Sequence, residues 1–81
     1  MKWILTPPAI KNYIDAPIVI QQAFDKKANL LLQNLRHPSL RAKKYEETGN
    51  VWQARINLAW RFYFIIENDC YTILRIKKHP K

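Results

Sequence analysis

The segments Val51-Trp52-Gln53-Ala54-Arg55-Ile56-Asn57-Leu58, Arg61-Phe62-Tyr63-Phe64-Ile65-Ile66-Glu67 and Leu74-Arg75-Ile76-Lys77-Lys78-His79 share one phase. In the first, apolar residues take the even positions and Gln53, Arg55 and Asn57 the odd ones. The same parity runs through the other two. Period-two alternation predicts strands with one face buried and one in water. If the phase survives both turns, one sheet face carries Arg55, Arg61, Arg75, Lys77 and His79 together. The apolar set Trp52, Ala54, Ile56, Leu58, Phe62, Phe64, Ile66, Leu74 and Ile76 then packs on the other.

That condition constrains the turns. A two-residue loop at Ala59-Trp60 would pair Leu58 with Arg61 and mix apolar and charged positions on one face. Only an odd loop or a bulge keeps the apolar set together. The same holds at the second turn, Glu67-Asn68-Asp69, and the first is expected at Leu58 to Trp60.

Upstream lies what covers this sheet. Trp3 to Leu5 reads as a short strand running into Thr6-Pro7-Pro8, with Thr6 as N-cap and prolines in the first turn of a short helical stretch reaching Tyr13. Asp15-Ala16-Pro17 is a second start signal. From there to Leu35 the spacing of Ile20, Phe24, Ala28, Leu31 and Leu35 predicts one helix of about five turns. His37-Pro38 closes it. Residues 37–50 form a polar connection with an edge strand around Lys43 to Glu46 and a positive-φ turn at Gly49, the chain's one glycine. The expected fold is therefore α+β, with N-terminal helices on one face of a small twisted antiparallel sheet, in a single domain over residues 1–81.

The charge points to a polyanion. Fourteen Lys and Arg oppose six Asp and Glu, a net of +8. The excess is concentrated from Arg36 onward, ten cations against four acids. Nucleic acid is the commonest target for such a balance. Cys70 stands alone, so no intramolecular disulfide can form, which fits a cytoplasmic chain. No apolar run approaches a bilayer's span, so no membrane partner is expected. No glycine-rich phosphate loop or Cys/His ligand spacing occurs, so neither a metal nor a cofactor is expected.

RNA cleavage without metal uses the ribose 2′-hydroxyl to attack the adjacent phosphate. It needs a base for that hydroxyl, cations for charge on the phosphorus oxygens, and an acid for the leaving 5′-oxygen. Imidazole titrates in the required range. Guanidinium presents a fork matched to phosphate. His79, Arg61 and Arg55 are the candidates for this chemistry. Arg41, Lys43, Lys44, Arg75, Lys77 and Lys78 are candidates for holding flanking phosphates. Solvated surface charge and core aromatics would explain the same residues one at a time.

In order and spacing, His37-Pro38-Ser39-Leu40, Lys43-Lys44, Val51-Trp52-Gln53-Ala54-Arg55-Ile56, Trp60-Arg61-Phe62-Tyr63-Phe64 and Leu74-Arg75-Ile76-Lys77-Lys78-His79 resemble the RelE/ParE toxin superfamily, nearest its RelE and YoeB kinds. The likeness covers the C-terminal half by landmarks and the N-terminal half by pattern. It implies helices on an antiparallel sheet and the toxin of a type II toxin–antitoxin pair. It implies a ribosome-dependent mRNA endonuclease, with a cognate antitoxin, the ribosome and mRNA as partners. Within it Arg61 matches the phosphate-stabilising arginine, His79 the C-terminal histidine acid, and Arg55 a basic residue that meets phosphate. Removal of Arg61 or His79 is then expected to relieve toxicity with the fold intact. Pro80 and Lys81 follow His79 where YoeB-like chains carry a terminal Tyr. No carboxylate aligns with their base, although Glu46 and Glu47 lie near. The alternatives are a ParE-like gyrase inhibitor without catalysis, or a degenerate member that only binds.

Overall fold

The computed structural model describes residues 1–46 and 49–78, and at residue 46 the backbone only. Strand β1 (Lys2–Leu5) leads into helices α1 (Pro7–Asp15) and α2 (Ile18–Gln33). After a 3₁₀ turn at Pro38–Leu40 come β2 (Lys43–Glu46), β3 (Val51–Arg55), β4 (Trp60–Glu67) and β5 (Cys70–Lys78). The sheet order is β1-β5-β4-β3-β2. All neighbours are antiparallel except β1, which runs parallel to β5.

Local chemistry sets the helix limits. Thr6 Oγ1 accepts from the Ala9 N–H at 3.3 Å, capping α1, which runs two residues past Tyr13. Asp15 ends α1 and does not cap α2. Pro17 holds that position without a side-chain bond. The tight joint is instead closed by Gln21, whose amide donates to the carbonyls of Tyr13 at 2.8 Å and Ala16 at 3.3 Å. Helix α2 stops at Gln33, short of Leu35, with the Asn34 N–H on the Leu30 carbonyl. His37 then caps the 3₁₀ turn, its Nδ1 accepting from the Ser39 N–H. In the next turn it is Asn50, not Gly49, that takes positive φ. Asparagine tolerates the left-handed region at little cost.

Ile20, Phe24, Ala28 and Leu31 line the buried stripe of α2. Phe24 meets Trp3, Tyr13 and Phe62 edge-on, with centroids 5.6, 5.9 and 5.2 Å apart. Beneath lie Ala54, Ile56, Phe62, Phe64, Ile73 and Ile76, all buried. Trp52 and Ile66 pack at the margin. Two expected core residues are elsewhere. Leu58 is 84% exposed at the tip of the β3–β4 turn. Leu74 has crossed to the opposite face, lining a recess with Tyr63 and Arg75.

Leu74 moves because of how the phase is kept. Between β3 and β4, Arg55 pairs with Arg61, so the intervening stretch is odd and parity survives. Trp60 opens β4, and its carbonyl accepts from the Ile56 N–H, which leaves Asn57-Leu58-Ala59 as the tip. Between β4 and β5 the loop has two residues. Asn68 and Asp69 have φ of 51° and 59°, and Glu67 pairs with Cys70, as in a type I′ hairpin. An even loop would put Phe62 and Tyr63 out of phase with β5. Phe64 pairs with Ile73 but Tyr63 pairs with Arg75, so Leu74 is a bulge that restores the phase.

Helix α1 holds the bulge in place. Thr6 Oγ1 donates to the Leu74 carbonyl at 3.2 Å, and Asn12 Oδ1 accepts from the Ile76 N–H at 3.1 Å. A bulge strands backbone groups, and these two side chains satisfy them. Asn12→Ala should cost about 1 kcal/mol through the unpaired N–H, read as a lower urea midpoint. Asn12→Asp, which keeps an acceptor, should recover most of it. Equal midpoints for the alanine variant and the parent would show that the bulge holds without this contact.

Candidate nucleic-acid interface

The face of the sheet away from the helices gathers the cations in rows set by the register. Arg55 stands opposite Arg61, and Arg61 opposite Lys77. The next row runs Lys43, Gln53, Tyr63, Arg75. Against one end lies a groove of about 830 Å³, lined by Arg41, Ala42, Lys43, Lys44, Tyr45, Gln53, Arg55 and Arg61. Arg41 reaches it by an unusual backbone. It takes the left-handed conformation, φ 47° and ψ 42°, as the 3₁₀ turn gives way to β2. For a residue with a Cβ this costs roughly 1–2 kcal/mol.

Arg61 is a buried cation, 7% exposed. Its Nη1 donates to the carbonyls of Asn57 at 2.7 Å, Trp60 at 3.1 Å and Leu58 at 3.2 Å. It thus clamps the turn between β3 and β4, where Asn57 Oδ1 also accepts from the N–H groups of Ala59 and Trp60. One guanidinium nitrogen carries these contacts, and the residue also lines the groove.

Arg55 is held differently. Its Nε is shut off from water and has no hydrogen-bond partner among the described residues. Desolvation, and then the charges of Arg41 and Arg61, push its pKa below the ordinary arginine value. An arginine stays protonated in a protein even so. The three guanidiniums therefore form a positive pocket, and the one ion pair among the described residues, Lys11 with Asp15, is on α1. An anion with several oxygens, held in the groove, would offset the like-charge crowding of the three guanidiniums.

The other sequence candidates divide. Lys43 joins the groove. Lys44 borders it while its Nζ sits 6.0 Å from the Trp52 ring centroid. Arg75 and Lys77 line a neighbouring recess. Lys78 pairs with Trp60, out of phase with Lys77, and is not brought into the rows. His79 lies outside the described residues, as do Glu47 and the side chain of Glu46. Sequence reasoning passed over Tyr45 as a site residue, although it shares the odd phase of Lys43. Tyr63 falls in the odd phase of β4 and so lies on this face, between Gln53 and Arg75. Burial, and then Tyr45, raise the Tyr63 pKa, so its phenol is neutral at pH 7 and is no ready base.

No family model matches this chain, and no curated protein matches it in sequence. Solved structures do. A YoeB/ParE toxin from Agrobacterium tumefaciens superposes with a TM-score of 0.82 at 12% identity, covering 99% of this chain and 100% of that one. This is the RelE/YoeB toxin fold. The toxin–antitoxin complex RelBE2 from Mycobacterium tuberculosis matches with a TM-score of 0.76 at 20% identity, over 96% of each chain. An archaeal RelE–RelB complex from Pyrococcus horikoshii gives 0.78 at 16% identity, over 99% of this chain and 94% of that one. The RelE-like fold expected from the sequence is thus present from β1 to β5. Coverage extends over the N-terminal half, where only a pattern of strand and helices had pointed to it.

Proposed function

We propose that this RelE-like domain is the toxin of a type II toxin–antitoxin pair, and that it cleaves mRNA on the ribosome without metal. The observation that carries this reading is the groove that Arg41, Arg55 and Arg61 line together with Lys43 and Lys44. A phosphodiester has the charge and oxygens that such a pocket lacks. The similar solved chains are toxins, several of them in complex with antitoxins, which supports the toxin role.

In this scheme Arg55 and Arg61 stabilise charge on the phosphorus oxygens as the 2′-hydroxyl attacks. Charge set in place beforehand lowers the barrier because nothing need reorganise. His79 protonates the leaving 5′-oxygen. The general base has no assigned residue. Lys43, Lys44 and Arg41 steady the flanking backbone, and the antitoxin covers this cationic face with an anionic segment. The chain works in the cytoplasm, where ribosomes and mRNA are found. No described helix is long and apolar enough to cross a membrane.

One relative has ParE in its name, which keeps a gyrase-directed binder as the second reading. Primer extension on translating mRNA after induction separates the two. Phased cuts within codons, and relief of growth arrest by His79→Ala, are expected of the nuclease. Intact mRNA with trapped gyrase–DNA complexes would overturn it in favour of the second reading.

A further inference from the structure

Tyr45 divides the cationic face in two. On one side is the arginine groove. On the other is a smaller recess of about 200 Å³, lined by Tyr45, Val51, Tyr63, Leu74, Arg75 and Lys77. The tyrosine is 60% exposed on the edge strand. The Tyr63 ring supports it edge-on, with centroids 5.1 Å apart at 70°. One ring bracing another at this distance fixes its orientation while leaving surface in water.

The two hollows have different chemistry. The groove is rich in guanidinium and ammonium groups and suits phosphates. The recess has aromatic and aliphatic walls, with cations at Arg75 and Lys77. Leu74 is there because the bulge in β5 turned it out of the core. An unpaired RNA strand alternates the same two needs, charged phosphate and flat apolar base. Proteins meet them with a cationic track flanked by aromatic platforms.

We infer that the recess takes one unpaired nucleobase of the RNA strand whose phosphates lie in the arginine groove, stacked against Tyr45. This rests on the RNA-directed reading above and adds to it a positioning device. Stacking accepts any base, because every base has a π face. The site therefore selects single-stranded over paired RNA without choosing a sequence. Fixing the base on one side of Tyr45 fixes which phosphate meets Arg55 and Arg61 on the other.

The test uses the full chain and two probes of equal charge, a 2′-O-methyl hexanucleotide that cannot be cut by 2′-attack and the same backbone without bases. Binding is followed by fluorescence anisotropy at low salt. The parent should hold the base-bearing probe about 5- to 100-fold more tightly, the worth of one stack. Tyr45→Ala should lose that preference with its affinity for the abasic probe unchanged, whereas Tyr45→Phe should keep it. Equal binding of both probes by the parent overturns the platform and leaves the phosphate groove standing. So does a Tyr45→Ala variant that weakens both probes alike or neither. Binding of neither probe by the parent overturns the RNA-directed reading and the platform together.

Discussion

Arg55→Met should slow mRNA cleavage by about 100- to 1000-fold, the usual cost of removing one preorganised donor from a developing negative charge. It should do so without weakening the fold. The Arg55 Nε is desolvated and unpartnered among the described residues, and Arg41 and Arg61 press on it with like charge. Methionine fills similar space and removes both penalties. The melting temperature is therefore expected to hold or rise. This is the signature of a group kept for function against the interest of stability. Cleavage in a reconstituted translation mix and a thermal melt of the same sample read both quantities. Cleavage at the parental rate would remove Arg55 from the site. A lowered melting temperature would mean that the folded state already satisfies it.

Arg61→Ala should lose cleavage as well, but with the opposite effect on stability. Here the guanidinium is buried and bound to three turn carbonyls. Stranding them costs about 1–3 kcal/mol, and each kilocalorie lowers the melting temperature of a domain this size by about 4–8 °C. The sequence alone suggested that Arg61 could be removed with the fold intact, and the clamp on the turn adds to that expectation a cost in stability. Because the alanine variant mixes two losses, Arg61→Lys is the sharper comparison. Lysine keeps the charge and a donor for the turn but not the planar fork. It should restore more of the melting temperature than of the cleavage rate. An alanine variant that melts like the parent would deny the clamp any weight.

These two arginines looked alike in the sequence. Both fall on the odd phase of an alternating strand, and the register makes them neighbours. Parity could predict the shared face because it depends only on the pleat. It could not predict that one would be tied to backbone carbonyls and the other left unmatched, since that depends on where a three-residue tip turns its oxygens. Leu74 marks a similar limit. The alternation demanded either an odd loop or a bulge, and the β4–β5 turn used the bulge, but nothing in Leu74-Arg75-Ile76 says which residue would be skipped. Thr6 and Asn12, more than sixty positions away, decide it. The parallel strand β1 was likewise legible as a strand but not as the partner of β5. The cationic groove needed the structure for another reason. Arg41 enters it by a left-handed turn that no periodicity announces.

The bonds from α1 to β5 also bear on the order of events during synthesis. Thr6 and Asn12 are made early, and Leu74 and Ile76 come late, 68 and 64 residues after their partners. Strand β1 must wait just as long for its neighbour. A nascent chain ending before β5 has the helices and the arginines of β3 and β4, but no Arg75 or Lys77, and its Thr6 and Asn12 have as yet no bulge to hold. Contacts this distant along the chain form slowly. On the function proposed above, a growing polypeptide would thus stay harmless to the ribosome making it until its last strand is in place.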